Sequence, residues 1–379
     1  MNIVIAPDAF KESASAMQVA KAIKSGWQKA RPTDMIHLLP VSDGGEGLLA
    51  VLKESCAMDI YPTEVTRLDG KKMLASYGIL KEKQIAVIES ATVIGLDLIT
   101  ADKRNPALMT SFGVGELILD ALNHNIEKII IGLGGSGTND GGAGLLQALG
   151  VQLLDKNNNS IKPGGIHLKD LAHLDVSQLD PRLKQVSLQI ASDVTNPLLG
   201  EKGATLTFGR QKGATPEMLI ELEQAMTNYG EKLDAFAAKK VSLMKGSGAA
   251  GGIAAGLTAI LNAEIISGAD LVIKLSGLKQ QLANADLVII GEGKMDAQSV
   301  MGKIPVRVAS EAKKAGAFVL AIVGSTRIEN SLAYQNGIDA VFPIIPELTD
   351  SVTIFCETND NLARTAENIA NLTSLFKKE

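Results

Sequence analysis

The stretch Ile129–Gly150, IIIGLGGSGTNDGGAGLLQALG, predicts a strand, a glycine-rich turn and a helix in direct succession. The run Ile129–Ile131 is apolar and strand-like, and Ala143–Leu149 has the composition of a helix. Glycine lets backbone N–H groups approach a ligand closely, and the helix that follows presents free N–H donors and a positive dipole end. The turn therefore indicates either an anion site, such as a phosphate loop, or a tight strand–helix contact that needs glycine for steric reasons alone.

Three other glycine-rich segments predict loops of the same kind, each between a strand and a helix: Asp43–Gly47 (DGGEG), Gly246–Gly252 (GSGAAGG) and Gly291–Asp296 (GEGKMD). Open α/β sheets bind their ligands at the carboxyl ends of the strands. The presence of four similar glycine-rich loops therefore favours a single ligand-binding site to which all of them contribute.

The composition indicates a two-domain α/β protein and argues against a nucleic-acid-binding protein. A chain of 379 residues is too long for one ordinary core. Its net charge of −5 and its 3% of aromatic residues do not supply the basic face and stacking aromatics that nucleic acids need. A core built mainly from Ala, Val, Ile and Leu suits a parallel sheet buried under helices.

The sequence predicts a cytoplasmic protein without a signal peptide or a membrane span. Asn2–Ala6 is expected to be a strand, because this segment lacks the basic residues and the long apolar run of a signal peptide. The uncharged stretch Gly246–Ala263 is rich in Gly and Ala, which predicts a tightly packed interior helix. Cys56 and Cys356 lack metal-ligand spacing and are expected to be reduced, buried thiols.

The order of the predicted elements assigns both ends of the chain, 1–58 and 285–379, to one flavodoxin-like domain with a parallel sheet. Its five predicted strands alternate with helices: Ile3–Ala6, His37–Pro40, Leu287–Ile290, Val319–Val323 and Ala340–Phe342. Residues 59–284 are predicted to form a second, inserted α/β domain. That domain is expected to begin as a meander of three strands: Glu64–Leu68, Lys72–Ile79 and Gln84–Ile88.

A dinucleotide-binding fold is one alternative. Gly132–Gly137 matches G-x-G-x-x-G, Val151–Leu154 would be the next strand, and Asp155 lies near the position of a ribose-binding acid. The segment Thr138–Gly142 weakens this interpretation, because it separates the motif from its helix. A second match at Gly246–Gly251 shows how readily a glycine-rich chain fits the pattern.

Polar side chains concentrate at the predicted strand ends, and their types fit phosphoryl transfer. Lys neutralises phosphate or carboxylate charge, Asp, Asn and Glu hold magnesium, and an Asp can accept the proton of an attacking hydroxyl. Each acid alone is explained as a helix cap or a turn residue. Their concentration favours a functional site.

Six motifs follow one another along nearly the whole chain: Ala6-Pro7-Asp8-x-Phe10-Lys11, Asp43-Gly44-Gly45-Glu46-Gly47, Gly134-Gly135-Ser136-x-Thr138-Asn139-Asp140-Gly141-Gly142, Asp193-Val194-x-Asn196-Pro197-Leu198, Gly248-Ala249-Ala250-Gly251-Gly252 and Gly291-Glu292-Gly293-Lys294-x-Asp296. Their combination resembles the bacterial glycerate kinases of the type I family. The resemblance implies a flavodoxin-like domain, an inserted α/β domain and an active site in the cleft between them.

The resemblance also implies an activity, the phosphorylation of D-glycerate by ATP with Mg²⁺. The expected product is 2-phosphoglycerate, in the breakdown of glyoxylate or sugar acids, and 3-phosphoglycerate is the alternative product. Two different functions stay open beside this one: an NAD-dependent oxidoreductase and a non-catalytic binding protein for a phosphorylated acid. The expected partners are D-glycerate and ATP, and the protein is expected to be a monomer or homodimer.

The site residues are expected as follows. The candidate catalytic residues are Asp193 as general base, Asp8 as the second candidate for that role, and Lys11. The candidate substrate-binding residues are Lys11, Asp43, Gly44, Gly45, Glu46 and Lys303. The candidate ATP- and phosphate-binding residues are Gly134, Gly135, Ser136, Thr138, Asn139, Gly141, Asn196 and Gly293. The candidate magnesium ligands are Asp140, Glu292 and Asp296.

Four positions depart from the pattern of that family. Its members usually carry Ser where Ala9 stands and Gly where Glu12 stands, so a hydroxyl is missing from the first motif. The usual Gly-Lys-Ala-Pro-x-Gly-Val-Ala reads GKIPVRVA at Gly302–Ala309. The bulkier Ile304 and Arg307 could alter the start of a helix near the substrate.

Overall fold

The computed structural model describes residues 1–297, 299–300, 302–347 and 350–375. The chain divides into two compact units. The first comprises Met1–Asp43, Ala50–Cys56 and the chain from Ala269 onward. The second comprises Gly44–Leu49 and Ala57–Gly268.

Strands and helices alternate through much of the described chain. The strands are β1 (Asn2–Pro7), β2 (Met35–Leu38), β3 (Asp59–Thr66), β4 (Lys72–Leu80), β5 (Ile85–Glu89), β6 (Lys128–Gly132), β7 (Gln152–Leu154), β8 (His173–Asp175), β9 (Ser187–Ala191), β10 (Glu264–Ile266), β11 (Leu287–Met295), β12 (Phe318–Thr326) and β13 (Ala340–Pro343). The α-helices are α1 (Ala16–Ala30), α2 (Leu48–Ser55), α3 (Ala91–Ile94), α4 (Phe112–Ala121), α5 (Ala143–Ala148), α6 (Ala204–Phe208), α7 (Pro216–Ala237), α8 (Ala249–Leu261), α9 (Gly268–Leu275), α10 (Leu278–Leu282), α11 (Ile304–Lys314), α12 (Asn330–Gln335), α13 (Ser351–Cys356) and α14 (Thr358–Leu375).

The sheet of the first unit is parallel and joins strands from both chain ends. Its order is β2-β1-β11-β12-β13, and β1 pairs with β11 from Ile3 opposite Leu287 to Pro7 opposite Gly291. This is the flavodoxin-like order, so the predicted strands and sheet type are confirmed. The reversal of strand order falls between β1 and β11, where such sheets bind ligands.

Two long helices, α1 and α14, pack against each other in this unit. α1 begins at a capping box, in which Ser15 and Gln18 satisfy each other's backbone N–H groups. Its buried stripe includes Ile23 and Trp27, which share a core with Leu362 and Ile369 of α14. The apolar spacing along both helices explains why they form at this interface.

The sheet of the second unit has the order β10-β9-β6-β5-β4-β3. β3, β4 and β5 form the predicted antiparallel meander, in which β3 spans Asp59–Thr66 and not the predicted Glu64–Leu68. β5, β6, β9 and β10 are parallel. β7 and β8 form a separate antiparallel hairpin. The central stretch of the sequence supplies β6 and α5, with the glycine-rich turn between them.

The predicted boundary at residue 285 differs from the observed one. Ala269 and the residues after it, with most of α9 and all of α10, belong to the first unit. The prediction placed the boundary at the strong strand signal of β11. Two short helices before that strand carry a much weaker pattern, because five to eight residues span only one or two turns.

Two of the predicted strand-to-helix loops are wrong. Gly291–Asp296 continues β11 as far as Met295, and Lys294 pairs with Ser325 of β12. A Cβ atom on Gly291 would lie 2.7 Å from the carbonyl oxygen of Ile322, so close backbone packing explains this glycine. Gly246–Gly252 follows a 3₁₀ turn and enters α8 through left-handed residues.

The predicted interior helix is confirmed, since α8 is almost wholly buried. Among the described helices, none combines the length and the apolar composition that a membrane crossing requires. Neither cysteine forms a disulfide. Cys356 is exposed, contrary to the prediction of a buried thiol, and Cys56 is partly buried with its Sγ 3.2 Å from the carbonyl oxygen of Leu275.

Candidate active site

A cavity of about 460 Å³ lies at the carboxyl ends of the strands in the first unit. It brings together seven of the predicted site residues: Asp8, Lys11, Asp43, Glu292, Gly293, Asp296 and Lys303. A volume of this size is within the range of about 300–1,000 Å³ that is typical of small-molecule sites. We call this cavity the Asp8 pocket.

The turn after β1 positions Asp8 and Lys11. The backbone N–H of Asp8 donates to the carbonyl oxygen of Gly291 (2.8 Å), which ties the turn to β11. Phe10 and Ala14 exchange two backbone hydrogen bonds, and Phe10 is buried. The exposed Lys11 therefore extends from a fixed turn beside the pocket.

The Asp8 carboxyl group has an unusually high proton affinity. Burial raises its pKa to about 7, and the negative charges of Asp43 and Glu292 act in the same direction. The N–H of Ala9, which donates to Asp8 Oδ1 (2.7 Å), and the charge of Lys11 oppose that rise. A carboxylate that titrates near neutrality is suited to general-base catalysis.

Glu292 is buried in the carboxyl-terminal half of β11, with 7% of its surface exposed. Its Oε1 atom has no hydrogen-bond partner among the described residues. Burial raises the pKa of Glu292, while Ser299 and the charge of Lys303 oppose the rise. A buried carboxylate oxygen without a protein donor is available to a ligand in the pocket.

The lysines of the pocket differ in their contacts. Lys303 is exposed and caps the start of α11, and Lys294 Nζ lies 3.2 Å from Asp296 Oδ2. The unusual Arg307 does not line the pocket, because its guanidinium donates to the carbonyl oxygen of Gly302 and to Asp270. Ile304 is fully buried and does not line the pocket either.

The glycine-rich turn after β6 belongs to the second unit, and most of its polar side chains are buried. Ser136, Thr138, Asn139 and Asp140 are at most 7% exposed. The Thr138 hydroxyl and the Asn139 Oδ1 atom have no hydrogen-bond partner in the described chain. Only Gly135 of this turn is exposed, so a phosphate contact here would involve the backbone.

Asp140 holds the turn together. Its Oδ2 accepts hydrogen bonds from the N–H and hydroxyl of Ser111 and from the N–H of Gly144, and its Oδ1 accepts from the N–H of Gly142. Burial raises the pKa of this carboxyl, and these donors lower it. Four protein donors leave the carboxylate little capacity for a metal ion, which argues against the predicted magnesium role.

Lys212 contacts this turn, and the sequence prediction missed it. Its side chain is 3% exposed, and Nζ donates to Ser136 Oγ (3.1 Å) and to the Thr138 carbonyl oxygen (2.7 Å). Burial lowers its pKa to about 8, and the charge of Asp140 opposes this. The only signal in the sequence is the pattern Arg210-Gln211-Lys212-Gly213, in which basic residues precede a glycine.

Gly44, Gly45 and Glu46 lie beside the same turn. A Cβ atom on Gly134 would be 2.7 Å from the Cα of Gly45, so the close approach of the two segments requires glycine at position 134. Glu89, which sequence reasoning also missed, anchors this segment through hydrogen bonds from the N–H groups of Gly47 (2.8 Å) and Leu49 (3.0 Å).

Asp193 and Asn196 follow β9 in the second unit. Asp193 is partly buried. Asn196 Nδ2 donates to the carbonyl oxygen of Lys202 (2.7 Å), which closes the loop before α6. Asn196 therefore has a structural contact in addition to its predicted phosphate role.

The dinucleotide alternative is wrong. The predicted next strand exists as β7, but it lies with β8 in a separate two-stranded sheet and not in the parallel sheet. Asp155 is bound to the N–H groups of Asn157 and Asn159 in a surface turn. After α5 the chain rejoins the parallel sheet at β9, so Asp155 does not stand at the end of the strand that pairs with β6.

No group of three or more His, Cys, Asp or Glu side chains with metal-binding geometry occurs in the described part of the chain. This does not conflict with a nucleotide-bound ion, because Mg²⁺ is usually held by one or two carboxylates together with substrate phosphates. Glu292, with its unpartnered buried oxygen, fits such a role, and Asp296 lines the same pocket.

A parallel sheet with a charged pocket at its carboxyl edge is typical of α/β enzymes that act on small anionic ligands. The family model described as the glycerate kinase family matches residues 3–374. The chain belongs to the glycerate kinase family and is a phosphotransferase.

Several named glycerate kinases are similar to the chain over nearly its whole length. It is 44% identical to the glycerate kinase of Haemophilus influenzae over 98% of both chains. It is also 44% identical to the glycerate 2-kinase of Escherichia coli K12, over 98% of this chain and 97% of the relative. A crystal structure assigned as glycerate kinase 2 of Salmonella typhimurium LT2 superimposes with a TM-score of 0.86 at 42% identity, over 100% of both chains.

Proposed function

We propose that this protein transfers the γ-phosphoryl group of ATP to the 2-hydroxyl of D-glycerate, giving 2-phosphoglycerate. The observation that carries this proposal is the Asp8 pocket, where a carboxyl group with a pKa of about 7 lies among lysines. The name of the relative from Escherichia coli, a glycerate 2-kinase, supports the choice of hydroxyl.

In this mechanism the carboxylate of glycerate binds beside Lys11 and Lys303, which supply compensating positive charge. The 2-hydroxyl then faces Asp8, which accepts its proton as the oxygen attacks the γ-phosphorus. The bond from that phosphorus to the β,γ-bridging oxygen breaks, and ADP leaves. The sequence favoured Asp193 as the base, but the raised proton affinity of Asp8 makes Asp8 the first choice here.

Glu292 and Asp296 are proposed to hold Mg²⁺, which neutralises negative charge on the phosphates when it is bound. The unpartnered Oε1 of Glu292 supports this role. The reaction requires positioning and charge neutralisation more than covalent chemistry by the protein. We keep the breakdown of glyoxylate or sugar acids, in the cytoplasm, as the proposed setting.

Phosphorus NMR of the protein with MgATP and D-glycerate tests the proposal. We expect a new phosphomonoester signal that coincides with authentic 2-phosphoglycerate. A signal of 3-phosphoglycerate would keep the kinase and overturn the regiochemistry. If ATP persisted although phosphoglycerate bound to the protein, the non-catalytic binding protein would become the better account.

A further inference from the structure

The Asp8 pocket changes in polarity along the edge of the sheet. The ends of β1 and β11 supply its charged side, with Asp8, Lys11 and Glu292. The chain after β13 and helix α13 supply an apolar side: Ile344, Ile345, Ile354 and Phe355. The two sides belong to one cavity, so one ligand or two adjoining ligands can contact both.

The apolar side has no use in binding glycerate. A three-carbon hydroxy acid is polar at every carbon, and burying its groups against Ile and Phe would remove them from water without compensating hydrogen bonds. Phe355 is 40% exposed in a chain with only 3% aromatic residues. An exposed phenyl ring on a pocket wall is a surface on which a flat ligand can stack.

Small residues separate the two sides. Gly293 of β11 and Gly324 and Ser325 of β12 line the cavity between the charged and the apolar walls. Gly324 is closely backed by the neighbouring strand, since a Cβ atom there would lie 2.3 Å from the carbonyl oxygen of Gly293. Gly293 and Gly324 form a floor without side chains between the two sides, which we call the glycine floor.

We propose that the apolar side, formed by Ile345, Ile354 and Phe355, binds the base of the nucleotide. The ribose would then cross the glycine floor, and the phosphates would reach the lysines and Glu292. The charged, neutral and apolar parts of the cavity occur in the same order as the phosphates, sugar and base of a nucleoside triphosphate. This inference rests on the proposed use of ATP, and it assigns the base to the first unit.

Calorimetric titration with two probes, MgATP and magnesium tripolyphosphate, tests the proposal. Tripolyphosphate has the phosphate chain without the base. Since stacking of a base on an aromatic side chain contributes about 1–3 kcal/mol, Phe355→Ala should weaken ATP binding by roughly tenfold or more. Its affinity for tripolyphosphate should be unchanged.

Val352→Ala is the matched control, because Val352 is exposed on the same helix and does not line the cavity. It should leave both affinities as in the wild type. If Phe355→Ala does not fold, Ile345→Ala serves as the second pocket variant, with the same expected loss of ATP affinity and unchanged tripolyphosphate affinity. Equal weakening of both probes, or unchanged ATP affinity, would overturn the proposal. A failed base site would still leave phosphoglycerate formation intact, so the two proposals fail separately.

Discussion

The two carboxylates considered as general base differ in their surroundings. The pKa of Asp8 is held near neutrality by burial and by the charges of Asp43 and Glu292. Asp193 is partly buried in a loop of the second unit. A carboxylate with a pKa near 7 is a stronger base than one that titrates near 4, which supports the proposal that Asp8 accepts the proton.

Asp8→Asn should therefore lower kcat by about 10²–10⁴-fold, since the amide cannot accept the proton. Asp193→Asn is the matched variant and should keep most of the activity. Steady-state kinetics, with ATP affinity measured separately, distinguish the two roles. A large loss in Asp193→Asn together with near-normal Asp8→Asn would restore the role that the sequence first suggested.

The sequence motifs identified Asp8, Lys11 and Glu292, because these residues lie close to the carboxyl ends of apolar runs. Lys212 and Glu89 could not be found in this way. Their roles depend on contacts with residues far away in the chain, such as Ser136 for Lys212 and Gly47 for Glu89. A local pattern cannot show which distant backbone group a side chain will meet.

Lys212→Met tests the role of the buried lysine beside the glycine-rich turn. The substitution leaves the Thr138 carbonyl and the Ser136 hydroxyl without this donor, which should cost about 1–3 kcal/mol of stability. Hydrogen exchange in residues 134–142 should become faster. Arg210→Met, an exposed cation two residues earlier, is the control. Equal melting temperatures and exchange rates for both variants would refute this role.

Among the helices, α1 and α14 can approach each other closely because α1 has a glycine, Gly26, at their contact. A Cβ atom on Gly26 would lie 1.9 Å from the carbonyl oxygen of Ala363. Alanine favours an isolated helix by up to about 1 kcal/mol over glycine, but here the added methyl group must push the helices apart. The steric effect should dominate.

Gly26→Ala is accordingly expected to lower the free energy of unfolding by about 1–3 kcal/mol, the usual range for overpacking. Denaturant unfolding followed by the fluorescence of the neighbouring Trp27 measures this change. Ser25→Ala, at an exposed position of the same helix, should have almost no effect. A Gly26→Ala protein as stable as the wild type would show that the two helices separate at no cost.

The alternation of apolar strands and amphipathic helices predicted more of the fold than the glycine-rich motifs did. The five parallel strands and their flavodoxin-like order follow from apolar runs that alternate with amphipathic helices. The glycines of Gly291–Asp296 suggest a loop, but in the structure they allow close packing of two strands. Which of the two uses applies depends on the neighbouring strand, here β12.

At the scale of the whole molecule, the chain order gives no direct sign that Ala269 already belongs to the first unit. The boundary between units depends on which core a short helix joins, and α9 and α10 have too few turns to show this in their sequence. The enzyme class, in contrast, follows from motifs distributed between Ala6 and Asp296 and from the family model that matches residues 3–374.

Asp8 is the proposed general base, and its charged neighbours influence its proton affinity. The most direct test is the pH dependence of kcat/KM for D-glycerate in the wild type and in Asp43→Asn. Protonated Asp8 cannot accept a proton, so activity should fall as the pH drops through about 7 in the wild type. Removing the Asp43 charge lowers the pKa of Asp8, and the acidic limb should therefore move to lower pH. An acidic limb at the same pH in both proteins would contradict the account.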